Sequence, residues 1–233
     1  MKITWFGHSC FRVDTGASCI LLDPFLTGNG VFEKAGIPLS KVTEGVTHVA
    51  LTHGHEDHLG DTVAICKETG APVLAVYELA SYIGAQGVEN AESGNTGGRL
   101  LQQDFDLIFV PAWHSSGNII DGRPLYLGNP CGIIIAPKHD KTVYHMGDTD
   151  IFSDMALINE LYAPAIGFVP IGDRYTMGAR TAALACKRFF NFERVIPCHY
   201  ATFPVLDQNP DKFIAEMGGK LVFVPEVGVP FEA

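Results

Sequence analysis

Residues 45–61 read GVTHVALTHGHEDHLGD, an apolar run that gives way to three histidines and two carboxylates within positions 52–58. The segment THVALT (47–52) is β-branched and aliphatic, as a short buried strand requires, and a helix is expected to follow over 60–69. Clustered histidines are poor packing material, so the heptapeptide THGHEDH reads as a site. His53 and His55 are separated by one residue; in an extended segment their side chains fall on the same side and can chelate one ion. Asp57 and His58 are neighbours and diverge, so they serve a second ion or open the helix that follows.

The same event occurs at five strand ends. ITWFG leads to His8, VALT to His53 and His55, IFVPAW to His114, TVYHMG to Asp148, and RVIPC to His199. If these strands lie side by side, their carboxyl ends converge on one rim, where α/β proteins place their sites. Five such ends, in a chain with nine histidines, are hard to assign to packing.

Strands are predicted at KITWF, CILLD, THVALT, APVLAVY, DLIFVPAW, GIIIAP, KTVYHM, IGFVPI, RVIPC and KLVFVP. Helices are predicted over 60–69, 77–86, 152–162, 178–190 and 209–217, the fourth from apolar Ala182, Ala183, Cys186 and Phe189 or Phe190 at helical spacing. Strands and helices interleave, giving an α/β class with helix-covered sheets. The most linker-like stretch is 87–99, rich in Gly, Asn and Ser, but strand-like runs resume at once, so one domain over 1–233 is expected.

Nitrogen and oxygen donors without thiolate suit Zn²⁺ first, with Mn²⁺, Ni²⁺ or Fe as alternatives. Paired catalytic ions sit ~3.5–4 Å apart and a carboxylate bridges such pairs; Asp148 in MGDTD is the candidate. Gly147 before it permits a tight turn and close backbone approach. The zinc-protease motif H-E-x-x-H is excluded, since HEDH spaces its histidines by three. A Gly-rich phosphate loop and a Gly-x-Ser-x-Gly elbow are both missing from the sequence.

The net charge of −10 and the lack of a basic stretch argue against nucleic acid as a partner. No apolar run reaches the ~18 residues of a membrane span, and MKITWFGHSC is too short an apolar start for a secretory signal. A cytoplasmic protein is expected, with its six cysteines as buried thiols, no membrane partner, and room for a homo-oligomer.

THGHEDH has the H-x-H-x-D-H form of the metallo-β-lactamase superfamily of hydrolases, and His114, Asp148 and His199 follow in that family's order. GHSCF, LLDPFLTGN, GNPCG, YHMGDTD, PIGDRYTMG and PCHYATFP resemble small cytosolic metal-dependent hydrolases near the L-ascorbate-6-phosphate lactonase branch. The resemblance implies a four-layer αβ/βα sandwich, two mixed β-sheets face to face with helices outside. It places His53, His55 and His114 on one divalent ion, Asp57, His58 and His199 on another, and Asp148 between them. It also puts His8 near the metals, as ligand, substrate-orienting group or proton donor.

The implied activity is hydrolysis of an ester, lactone or phosphoester in a small metabolite by a metal-bridging hydroxide. Asp57 is expected to orient the nucleophile and accept its proton, with His8 or metal assisting the leaving group. A phosphodiesterase or nuclease of the same fold, a di-iron redox centre and a metal-stabilised module without catalysis are the competing readings. Asp173, Arg174 and Tyr175 in PIGDRYTMG are candidate substrate contacts, Arg174 suiting an anionic group; the plain alternative is a turn cap and a solvated charge. Asp23 in LLDPF either supports a ligand histidine or simply ends its strand. His48 and His139 are expected to be structural or exposed, His145 either to support the centre from behind or, by preference, to be inert, and Cys198 a buried thiol facing away from His199.

Overall fold

The computed structural model describes residues 1–219 and 221–233. Strands β1 (Lys2–Trp5), β2 (Phe11–Asp14) and β3 (Cys19–Leu22) form an antiparallel meander. After helices α1 (Gly30–Ala35) and α2 (Leu39–Thr43), β4 (His48–Ala50), β5 (Val73–Val76) and β6 (Ala91–Gly94) extend the sheet in parallel from β3. Helices α3 (Glu56–Leu59), α4 (Thr62–Thr69) and α5 (Tyr77–Ala85) occupy their crossovers.

A second sheet repeats the scheme. β7 (Arg99–Leu101) and β8 (Phe105–Pro111) pair antiparallel, a separate hairpin β9 (Gly117–Ile120) and β10 (Arg123–Tyr126) intervenes, and β11 (Cys131–Pro137) returns beside β8. β12 (Val143–His145) joins antiparallel to β11, and β13 (Ile166–Pro170) and β14 (Arg194–Cys198) follow in parallel through α6 (Met155–Tyr162) and α7 (Ala179–Phe189). α8 (Asp211–Met217) lies against α7, and β15 (Phe231–Glu232) closes the first sheet beside β1. The sheet orders are β15-β1-β2-β3-β4-β5-β6 and β14-β13-β12-β11-β8-β7.

CILL, VLAV and IGFVP are buried at every position, the signature of strands covered on both faces. One cover is the other sheet: Phe11 of β2 stacks on Phe168 of β13 with ring centroids 3.9 Å apart. The other is helical. α7 buries Ala182, Ala183, Ala185 and Cys186 on one stripe and carries Lys187 and Arg188 in its last turn, where the helix dipole favours cations. The result is the four-layer α/β sandwich with two mixed sheets.

The linker-like stretch 87–99, which the sequence already argued against as a domain boundary, holds β6 and the start of β7, one outer strand of each sheet, and its polarity reflects exposed sheet edges. The predicted strand KLVFVP begins at residue 220, outside the described residues; of the rest, only Val222 is paired, in an isolated bridge to Val195.

Candidate metal centre

The heptapeptide leaves β4 and turns directly into α3. His55 is the N-cap residue of α3, while Asp57 and His58 lie inside it; both open the helix and group with His8 and His199, and His58 also groups with His53 and Asp148. Gly54 is required between the two histidines, because a Cβ there would stand 2.6 Å from Leu127 Cβ. Its N–H donates to Ser116 Oγ at 3.1 Å, and that hydroxyl donates to the Leu127 carbonyl at 3.2 Å.

Sharp turns aim the remaining groups. His8 (φ 51°) and His199 (φ 58°) adopt left-handed backbone just beyond β1 and β14. For residues with a Cβ that conformation costs on the order of 1–2 kcal/mol, and such strain collects at functional sites. The His8 carbonyl accepts from His199 N–H at 3.1 Å and from Trp5 Nε1 at 3.0 Å, which ties the two strand ends together. Gly147 (φ 63°) lets the chain pass close to Cys131 O, 2.7 Å from where a Cβ would be, and so swings Asp148 into the centre.

Four of the histidines meet at Asp148, which is 2% exposed. Its Oδ2 is 3.0 Å from His199 Nε2, 3.5 Å from His114 Nε2 and 3.9 Å from His53 Nε2; its Oδ1 is 3.2 Å from His58 Nε2. His53 Nε2 approaches His55 Nδ1 at 3.0 Å. Donor atoms of His53, His55 and His114 all lie within 4.8 Å of one another; so do those of His8, Asp57, His58 and His199, and those of His53, His58 and Asp148. The buried atoms His58 Nε2, Asp148 Oδ1 and both His199 ring nitrogens have no hydrogen-bond partner despite this crowding. Leaving such groups unpaired costs about 1–3 kcal/mol each. A divalent cation would satisfy several at once, and an imidazole and carboxylate donor set suits Zn²⁺ and its neighbours, so the residues fit a metal.

Asp23 supports the loop from beneath, and it does more than end β3. Its Oδ2 accepts from His58 Nδ1 at 2.7 Å and from Thr52 Oγ1 at 2.7 Å, while Oδ1 accepts from Thr52 N–H at 2.8 Å. His145, expected to be inert, joins this group with Nε2 3.4 Å from Asp23 Oδ2 and 3.1 Å from the Ser9 carbonyl. Strand alternation could not relate His145 to the centre, because the turn at Gly147 intervenes. His48 bridges Thr47 and Gln102, His139 is exposed, and Cys198 is a buried free thiol, as the sequence suggested.

Burial opposes charge on every group here, and the partners decide the outcome. His58 is nonetheless pushed well above its ordinary value by Asp148 and Asp23. His199 rises to about 9 because Asp148 and Asp57 outweigh burial. Asp57, with hydrogen bonds from His199 and His8, is held well below the carboxylate range, as are Asp148 and Asp23 by their histidines. Burial wins at His53, which falls well below its ordinary value, and at His8, which falls to about 4.

A pH profile of the metal-free protein follows. His199, raised in the fold, adds stability that is present below pH 6.5 and lost as pH rises through about 9. His8, lowered in the fold, adds stability that is present above pH 6.5 and lost as pH falls towards about 4. Thermal unfolding under chelator is expected to peak near pH 6.5 and decline on both sides; a melting temperature rising steadily to pH 9 would contradict this charge distribution.

His55, Asp57, His114, Ser115, Asp148 and Tyr175 line a cavity of about 360 Å³. Of the three substrate candidates, only Tyr175 reaches it. Asp173 sits against Gly178 at the start of α7 and lines another groove with Lys212, and Arg174 is exposed and lines neither. Sequence reasoning passed over Ser115, whose Oγ is 3.2 Å from His55 Nε2, and Thr202, whose Oγ1 is 3.0 Å from His8 Nδ1. Their only signal was adjacency, Ser115 directly after His114 and Thr202 three beyond His199.

Residues 18–200 match the model of the beta-lactamase superfamily domain. A UPF0173 metal-dependent hydrolase from Brucella abortus (strain S19) is 58% identical over 218 residues, covering 93% of this chain and 91% of its own. Another from Chelativorans sp. (strain BNC1) is 58% identical over 221 residues, with coverage of 94% and 93%. Among solved structures, Igni18, a metallo hydrolase from the hyperthermophilic archaeon Ignicoccus hospitalis KIN4/I, is similar at 35% identity and a TM-score of 0.86, covering 100% of this chain and 98% of that one.

Proposed function

The chain belongs to the beta-lactamase superfamily and is a metal-dependent hydrolase, and from that premise we propose a dinuclear enzyme that cleaves an ester, lactone or phosphoester bond in a small cytoplasmic metabolite. The observation that carries the reading is the pair of donor groups, His53/His55/His114 and Asp57/His58/His199, on either side of Asp148, whose Oδ1 has no hydrogen-bond partner. Bound divalent ions supply Lewis-acid polarisation of the attacked oxygen and water acidified towards a pKa of ~7.

The side chains then do the positioning. Asp57 lines the cavity and is held firmly ionised, which makes it a strong hydrogen-bond acceptor and a weak base. Its role is therefore to orient the attacking water rather than to keep its proton. A carboxylate only accepts, so His8 donates Nε2–H to Asp57 Oδ2 at 3.0 Å. With its basicity lowered to about 4, His8 is neutral at pH 7 and serves to hold Asp57 rather than to protonate a leaving group. The rings of Phe25 and Phe203, each 5.6 Å from the His8 ring, keep it in place. A cytoplasmic site of action is supported by six buried, unpaired thiols.

The test is elemental analysis beside an activity screen of esters, lactones and phosphodiesters. Two equivalents of divalent metal are expected, with turnover lost on chelation and restored by Zn²⁺ or Mn²⁺. Full turnover by metal-free protein would overturn the proposal, and one tightly held equivalent in active enzyme would overturn its dinuclear part.

A further inference from the structure

Two cavities meet at His55. One is the candidate centre; the other, about 350 Å³, is walled by the separate hairpin through Ile119, Pro124 and Leu125. Each is near the lower end of the ~300–1,000 Å³ range of small-ligand sites.

The charge around this double cavity is one-sided. Asp57, Asp148 and Glu56 line it, and no lysine or arginine does among the described residues. Apolar side chains stand exposed beside it: Ile119 is 65% exposed and Tyr175 59%, and Trp113, one residue from His114, is 69% exposed. A single exposed apolar side chain is ordinary. A two-stranded hairpin, however, is marginal alone, and this one presents apolar side chains to water beside the reacting centre while contributing no donor to it.

We propose that this wall receives the uncharged aliphatic arm of the substrate, which is a neutral medium-chain ester; the inference rests on reading the centre as a hydrolase. The carbonyl sits at the centre and the chain runs along Ile119 and Leu125. Water adds to the carbonyl carbon and the acyl C–O bond breaks, releasing acid and alcohol without any redox partner. An anionic arm lying along the hairpin would find no lysine or arginine in the cavity that it walls.

The test uses metal-loaded protein, 4-nitrophenyl esters from acetate to decanoate, and an octanoate analogue ending in carboxylate. A fully buried methylene contributes about fourfold, and about twofold is expected on an open wall, so kcat/KM should rise on the order of fiftyfold from acetate to octanoate. The carboxylate-ended ester should fall back towards acetate. Ile119→Asp should lower the octanoate-to-acetate ratio at least tenfold. A binding readout needs no turnover: Trp113 fluorescence should respond saturably to octanamide, and Trp5, 3% exposed, gives a constant background. A saturable response lost in Ile119→Asp supports the wall even if no ester is cleaved, an outcome that counts against the hydrolase reading alone. A flat chain-length series, a preference for the anionic ester, or no octanamide response overturns the inference.

Discussion

Replacing Asp148 with alanine is expected to lower turnover by about a thousandfold or more and to leave the purified protein depleted of metal. Asp148 is the group within 4 Å of His53, His58, His114 and His199 together. Removing it takes one anion and one donor from a cluster that needs both to gather cations. Metal contributes several kcal/mol to transition-state stabilisation, and each ~1.4 kcal/mol is tenfold in rate, which sets the expected loss. Asp148→Asn keeps the shape and removes the charge, so it should fail almost as badly while circular dichroism stays unchanged. Wild-type metal content and wild-type turnover in both variants would remove Asp148 from the centre.

Asp23→Ala should be the most damaging change at a position outside the cavity. Asp23 is fully buried and accepts from His58, Thr52 Oγ1 and Thr52 N–H, with His145 alongside. Breaking a buried ionic group by removing one partner costs about 3–5 kcal/mol. At ~2–4 °C per kcal/mol for a chain of this size, the melting temperature should fall on the order of 10 °C. Loss of the carboxylate that orients a metal-facing histidine typically costs ~10–100-fold in metal affinity. Equilibrium dialysis with Zn²⁺ and a melting curve measure the two effects separately. A variant with unchanged melting temperature and unchanged affinity would show that His58 needs no support from below.

The parts of the molecule legible in the sequence are those where one force dominates. CILL, VLAV and IGFVP are apolar at every position because both faces are covered, and each forms a strand where expected. The gathering of His53, His55, His114, Asp148 and His199 was legible because each follows an apolar strand run at its carboxyl end, and His58 because it sits in the same heptapeptide. Where forces compete, the sequence was mute or misleading. AESG has no β-branched or aromatic residue yet pairs with β5, because an edge strand needs only backbone partners on one side. FRVD alternates too briefly to stand out. Asp23 and His145 come from different sheets, and the turns at Asp23 itself (φ 42°) and at Gly147, between His145 and Asp148, are ones that no periodicity argument can cross. The split of Asp173, Arg174 and Tyr175 depends on a left-handed backbone at Asp173 (φ 71°), which three consecutive polar letters do not reveal.

The tie between His8 and the turn after β14 has a bearing on the order in which the chain organises itself. His8 and Thr202 meet from positions 194 residues apart, at opposite ends of the polypeptide. A ribosome releases the heptapeptide long before His199, so during synthesis the early histidines wait as an incomplete set beside a half-built sheet. Contacts that remote in sequence form late. A centre that needs His199 beside the heptapeptide is therefore complete only once the whole chain has been made.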